Sequence, residues 1–139
     1  MAIERTFAII KPDAVKAGQQ GDILARIHKA GFKIVAIKSM RLMKEEAGGF
    51  YAVHRERPFF GELTDFMSSG KIIAMVLESE GAILKWRDTM GATDPKKATP
   101  GTIRHDLGTN IGNNCTHGSD AQETAVFEIG YFFSGMELI

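Results

Sequence analysis

The chain has a single cysteine, Cys115, which excludes an intramolecular disulfide framework and any multi-cysteine metal site. It has no signal peptide and no apolar run near the roughly 18 residues of a membrane span, so a cytoplasmic protein without a membrane partner is expected. Net charge is also missing, because 17 Lys plus Arg balance 17 Asp plus Glu. Nucleic-acid and membrane-surface binders usually carry a basic excess, so neither role is expected, and any positive field for an anionic substrate must be local. There is no repeat, low-complexity tract or Pro/Ser-rich linker, which leaves one domain over residues 1–139. A chain of that length buries roughly 68% of its unfolded surface, enough for its own core. No Gly-x-x-x-x-Gly-Lys-Ser/Thr loop or kinase-type glycine loop occurs, so any phosphate binding is of another kind. His28, His54 and His105 lack metal-ligand spacing, which argues against zinc.

What is present is an interleaving of short apolar runs with helical stripes. Thr6–Ile10, stopped by Lys11-Pro12, Phe32–Met40 and Ile72–Leu77 read as strands. Asp22–Ala30 reads as a helix ended by Gly31, and Lys44–His54 as another. Phe59, Leu63 and Phe66 stripe a third helix, and Ile83, Trp86 and Met90 a fourth closed by Gly91. A fourth strand is expected just before His117. Ser119 with Gln122 has the spacing of a capping box for a last helix, striped by Val126, Ile129 and Phe133. The order resembles β-α-β-β-α-β with extra helices, in an α/β or α+β sandwich; periodicity does not choose between parallel and antiparallel pairing. Gly91 to Gly118 is the anomaly, with five glycines and two prolines in 28 residues. Closing such a loop costs about 3 kcal/mol beyond a constant, and loops of that length are usually functional or disordered. Ile103, Leu107 and Ile111 give it apolar anchors, and Thr102–Leu107 has the makings of a helical turn.

His117 lies where this segment meets the last helix. A neutral imidazole has a lone pair able to attack phosphorus, and the resulting phosphoramidate is labile, which suits a group relay. Taken alone, a histidine at a strand end is more often satisfied by backbone hydrogen bonds. Glu128 interrupts a small-residue face with Ala121, Thr124 and Ala125, where a half-buried carboxylate could orient an imidazole; the plainer reading is a solvated helix glutamate. Ser119 reads as the helix N-cap, whose neighbouring amide groups would favour negative charge beside His117. Lys11 follows the first strand, Arg104 sits in the long segment and Arg87 flanks Trp86. Singly each is a surface charge; together they would offset a triphosphate. Phe59 packs into a core by default, with stacking on a nucleobase as its functional alternative.

Four separated blocks then carry a resemblance. Ala2–Val15 (A-I-E-R-T-F-A-I-I-K-P-D-A-V), Phe50–Phe66 (F-Y-A-V-H-R-E-R-P-F-F-G-E-L-T-D-F), Met90–Arg104 (M-G-A-T-D-P-K-K-A-T-P-G-T-I-R) and Asn114–Asp120 (N-C-T-H-G-S-D) stand in the order of the nucleoside diphosphate kinase family. Nearly the whole chain resembles its short bacterial form. The resemblance implies an α+β, ferredoxin-like β-α-β-β-α-β sandwich with a four-stranded antiparallel sheet covered by helices. It implies ping-pong transfer of a γ-phosphoryl group from a nucleoside triphosphate to a nucleoside diphosphate through a phosphohistidine at His117 Nδ1.

In that scheme Glu128, bonded to the other ring nitrogen and to Ser119, holds the ring, and Tyr51 supports the site. Lys11, Arg87, Thr93, Arg104 and Asn114 contact phosphates or ribose, and the base lies between Phe59 and Ile111 with broad tolerance. Mg2+ is bound through the nucleotide phosphates, with no protein metal site. A homo-oligomer, tetramer or hexamer, is implied, with the Pro100 loop at subunit contacts and the apolar tail Tyr131–Phe133, Met136, Leu138 and Ile139 fitting a buried interface. The chain departs from the family's pattern at Ala121, usually serine, at His105, usually small, and over Leu107–Gly112. The alternatives are a nucleotide-binding regulatory protein of the same fold without efficient turnover and, against the zero net charge, a nucleic-acid-binding module.

Overall fold

The first strand, β1 (Ile3–Ile10), starts three residues before its apolar run because its polar end is paired across the sheet. Arg5 stands opposite Glu78 of β3 (Lys71–Glu80), and the two side chains form an ion pair at 2.8 Å. The computed structural model describes residues 2–139. The remaining strands are β2 (Lys33–Arg41) and the three-residue β4 (Thr116–Gly118), and the sheet order is β2-β3-β1-β4. Every pairing is antiparallel, which settles what periodicity left open. The helices are α1 (Pro12–Lys16), α2 (Gln20–Lys29), α3 (Lys44–Phe50), α4 (Phe60–Met67), α5 (Ala82–Met90), α6 (Ile103–Leu107) and α7 (Gln122–Phe132). This is the ferredoxin-like α+β sandwich.

Both faces of the sheet are covered. Phe7, Ile9, Ala74 and Val76 meet Phe50, Met67 and Phe132 on one side. Ala8, Ile10, Met75 and Leu77 meet Ile23, Ile27, Trp86 and Ile103 on the other. Central strands buried on both faces lose the apolar/polar alternation of a one-sided sheet, which is why β1 and β3 read as continuous apolar runs.

Several boundaries differ from the sequence expectation. The Lys44–His54 helix breaks at Tyr51, and a 3-10 turn (Ala52–His54) follows α3. Gly48 and Gly49 weaken that helix, and Gly49 leaves room for the Tyr131 ring, whose hydroxyl donates to Glu46 O at 2.6 Å. Val126 is 74% exposed, so the buried stripe of α7 runs through Ala125, Ile129 and Phe132 instead. The fourth strand contains His117 rather than preceding it.

The long Gly91–Gly118 segment is pinned at several points. Ile103 is fully buried in α6, and Arg26 of α2 reaches Asp106 at 2.8 Å and Gly101 O at 3.3 Å. Asp106 also accepts from Gly101 N–H and from His105 Nδ1, and these bonds with Arg26 hold its carboxyl well below the usual range. Ile111 is not an anchor: it is 60% exposed.

Candidate active site

β4 pairs with β1 so that His117 stands opposite Ile9 and shares its face of the sheet. That face is aromatic. The imidazole meets the Phe50 ring edge-on at 5.4 Å between centroids, and Phe7 and Tyr51 edge-on at 6.2 Å each. These rings leave it little rotational freedom. On the strand's other side Trp86 Nε1–H donates to His117 O at 3.1 Å. A Cβ at Gly118 would collide with the Trp86 indole and Met90, so only glycine permits this approach. Gly118→Ala is therefore expected to destabilise the protein by about 1–3 kcal/mol and to lower activity; an unchanged thermal midpoint would show that Trp86 moves aside freely.

Glu128 lies one helix away, and a single oxygen of it serves two partners. His117 Nε2 is 3.0 Å from Glu128 Oε1, and Ser119 Oγ donates to the same oxygen at 2.9 Å. A carboxylate oxygen only accepts, so this contact assigns the ring proton to Nε2 and leaves Nδ1 with its lone pair. Ser119 is not the helix N-cap. It is fully buried, its Oγ accepts Phe7 N–H at 3.2 Å, and its own N–H donates to Phe7 O. The chain thus stays beside β1 past Gly118, and α7 is capped at Ala121, whose N–H donates to Thr124 Oγ1 at 3.0 Å. Gln122, expected to complete a capping box, instead bonds Glu4 at 3.0 Å.

The cationic residues converge through Asn114. Lys11 Nζ donates to Asn114 Oδ1 at 2.9 Å, and Asn114 Nδ2 donates to Thr93 O at 3.0 Å. Desolvation, reinforced by the facing Arg104 guanidinium, pushes the Lys11 ammonium down from 10.5 to about 8. Arg104 is 8% exposed, and burial lowers its pKa as well. Its Nε donates to Asn114 O at 3.3 Å, Nη1 to Gly91 O at 3.1 Å and Nη2 to Thr116 O at 2.8 Å. A guanidinium has five N–H groups, so two remain for a ligand.

These groups border a cleft of about 420 Å³ whose lining includes His117, Arg104, Thr93 and Arg87. Tyr51, His54 and Phe59 line it too. Phe59 precedes α4 and is 45% exposed rather than packed in the core, with His54 at 5.5 Å between ring centroids. Arg87 is exposed at the rim, 3.9 Å from Asp120. Ile111 is not among the lining residues, nor are Lys11 and Asn114, though Asn114 is bonded to Thr93 and Arg104, which are. Among the described residues no three His, Cys, Asp or Glu side chains stand together to hold a metal. The donors here are cations and amides, so a metal ion fits only as one carried in by a phosphate ligand.

Sequence reading missed four residues at the site: Asp13, whose Oδ2 accepts Cys115 N–H at 3.1 Å, Gly118, His54 and the indole of Trp86. Asp13 directly follows Lys11-Pro12 and Gly118 directly follows His117, so proximity in the chain was the available signal for both. Cys115, expected on a strand, is buried but lies just outside β4 with a left-handed φ of 74°. Desolvation pushes its thiol up to about 11, so it is inert as a thiolate at neutral pH.

The family model for nucleoside diphosphate kinase matches residues 4–138. A nucleoside diphosphate kinase of Desulfotalea psychrophila is 60% identical over 137 residues, covering 99% of this chain and 100% of that protein. One from a Bradyrhizobium strain is 61% identical over 139 residues, covering 100% and 99%. Among solved structures, the nucleoside diphosphate kinase of Aquifex aeolicus superposes with a TM-score of 0.97 at 50% identity, covering 99% of this chain and 100% of that one. That of Halobacterium salinarum, in complex with CDP, gives 0.94 at 44% identity, covering 99% and 92%.

Proposed function

The chain belongs to the nucleoside diphosphate kinase family, enzymes that move a phosphoryl group between nucleotides, and from that premise we propose that it works as one domain by a ping-pong mechanism through phosphorylated His117. The observation that carries this reading is the bond from His117 Nε2 to Glu128, which leaves Nδ1 as the nucleophile. In the first half-reaction the Nδ1 lone pair attacks the γ-phosphorus of a triphosphate. The Nδ1–P bond forms, the P–O bond to the β-phosphate breaks, and the nucleoside diphosphate leaves. In the second, a diphosphate oxygen attacks the same phosphorus and Nδ1 recovers its lone pair. Glu128 balances the charge of the phosphorylated ring, and Ser119 holds Glu128.

Lys11, Arg104, Arg87, Thr93 and Asn114 bind phosphates or ribose. The Tyr51 hydroxyl, buried beside the ring with no hydrogen-bond partner among the described residues, is available to a phosphoryl oxygen. The base stacks on Phe59, with Ile111 from the exposed loop on its other side, and few edge contacts make the site base-tolerant. The CDP held by the Halobacterium relative supports a diphosphate nucleotide as ligand here. Mg2+, held by the nucleotide phosphates rather than by a protein carboxylate cage, would supply charge neutralisation during transfer. Nucleotide binding without turnover is not favoured, since relatives over nearly the whole chain are nucleoside diphosphate kinases, and the contacts among His117, Glu128, Ser119, Lys11, Asn114 and Arg104 support turnover. No nucleic-acid partner is invoked.

The test is to mix the protein with γ-labelled ATP. An acid-labile, alkali-stable phosphoprotein that discharges onto any added nucleoside diphosphate is expected; stable nucleotide binding without labelling would sink the reading. Lys11 adds a pH signature. Its ammonium is the form that attracts phosphate, so nucleotide affinity of the free enzyme is full below about pH 8 and falls as pH rises through that value. Calorimetric titration across pH 7–10 checks this, and a flat profile would contradict it.

We also read the protein as a cytoplasmic homo-oligomer, a tetramer or hexamer. Supporting this are the single buried Cys115, the exposed apolar Val126, Phe127, Met136 and Ile139, and the position of β2 at the edge of the sheet. Phe132 and Phe133 of the tail are packed in the protomer's own core. No described helix is long and apolar enough to cross a membrane. Sedimentation decides the subunit number.

A further inference from the structure

Between the two residues proposed to meet phosphate and nucleophile, Asn114 and His117, the backbone makes an unusual turn. Thr116 N–H donates back to Asn114 O at 2.9 Å, closing a three-residue turn around Cys115 at φ 74°. Non-glycine residues seldom adopt such a backbone unless their surroundings enforce it. Two contacts from one short segment do so. Lys11 N–H donates to Cys115 O at 2.8 Å, and Cys115 N–H donates to Asp13 Oδ2 at 3.1 Å. The turn is thus gripped at its carbonyl by the backbone of Lys11 and at its amide by the side chain two residues on. The other carboxylate oxygen, Oδ1, is buried with no hydrogen-bond partner among the described residues.

We propose that Asp13 is a positioning residue for phosphoryl transfer: its carboxylate holds the left-handed turn at Cys115, and the turn in turn delivers Asn114 to Lys11 and His117 to its place opposite Ile9. This rests on the reading of His117 as the phosphorylated residue. A β4 of only three residues cannot set its own register, and the Asp13 bond lies immediately before it. If the turn relaxes to an ordinary extended backbone, Asn114 shifts away from Lys11 and Thr93, and the amide plane leading into Thr116 and His117 rotates. The same carboxylate contributes charge: Lys11 faces Asp13 from α1, Arg104 from α6 and Cys115 from the loop, and Asp13 is the anion that favours its ammonium form.

Three variants test this with single-turnover labelling of His117 by γ-labelled ATP. Asp13→Ala should slow labelling by about ten- to a hundredfold, the loss of one hydrogen bond to a charged group. Adding Cys115→Gly should recover most of that rate, because glycine enters the left-handed region without support. Asp13→Asn keeps an acceptor for Cys115 N–H but loses the charge. It should label within about threefold of wild type while the pH midpoint for nucleotide binding moves below its original value near 8. Equal rates for wild type and Asp13→Ala would overturn the role of Asp13. So would a slow Asp13→Ala that Cys115→Gly does not rescue, together with an Asp13→Asn whose midpoint is unmoved, since that pattern is plain structural damage. An unlabelled wild-type protein would instead overturn the phosphohistidine reading itself.

Discussion

His117→Ala is expected to leave no detectable phosphoprotein and to lower turnover by about a millionfold, the scale seen when a covalent nucleophile is removed. Nucleotide should still bind, because Lys11, Arg104 and Asn114 are held to one another and not to the imidazole. The separation of the two readouts is the useful part. If binding and labelling vanished together, the variant would have lost its fold or its cleft, and the labelling result would say nothing about nucleophilicity. If labelling persisted on the variant, another residue would carry the phosphoryl group. Refilling the space with a small imidazole from solution offers a complementary check. The cavity is walled by Phe7, Phe50 and Tyr51, and partial recovery of transfer to nucleoside diphosphate would assign the chemistry to the ring itself.

Arg104→Ala should produce the second large effect, through two losses at once. Its three backbone acceptors, at Gly91, Asn114 and Thr116, belong to the loop and strand that flank His117. Removing a buried guanidinium that joins them should destabilise the protein by about 2–4 kcal/mol. The remaining N–H groups would be lost to phosphate, lowering kcat/KM by about a hundred- to a thousandfold. Arg104→Lys should restore little of either, since a single ammonium cannot span three divergent carbonyls. Denaturant unfolding and steady-state kinetics on both variants separate the two losses. A lysine variant near wild type in stability would show that the carbonyls do not depend on Arg104.

The four sequence blocks made the fold class legible and named candidate site residues, of which the structure brings His117, Glu128, Ser119, Tyr51, Arg104 and Asn114 together. What was not legible was mostly tertiary. Ser119 and Gln122 have the local spacing of a capping box, yet the Ser119 hydroxyl is taken by Phe7 N–H, 112 residues away. Such a competitor leaves no mark on a seven-residue window. The structural side of Arg104 was hidden for a related reason, because its acceptors are backbone carbonyls, which every residue has. β4 was expected just before His117, but its bounds were not legible because three residues are too few for periodicity. Phe59 looked like core because it continues the spacing of Leu63 and Phe66, but it stands just before α4 rather than inside it. Ile111 was read both as an anchor and as a base contact, and in the structure it is exposed and outside the cleft lining.

The sheet order has a consequence for the life of the chain during synthesis. β1 is made first, but its outer neighbour is β4, and the bonds that complete the site join Lys11 to Asn114 and Phe7 to Ser119 across 103 and 112 residues. Contacts so distant in sequence form late, because the loop entropy of closing them must be met first. His117, Glu128 and Lys11 therefore reach their places only when almost the entire polypeptide has emerged. A nascent or truncated chain has the sheet's centre before it has the contacts that hold His117 and Asn114 in place.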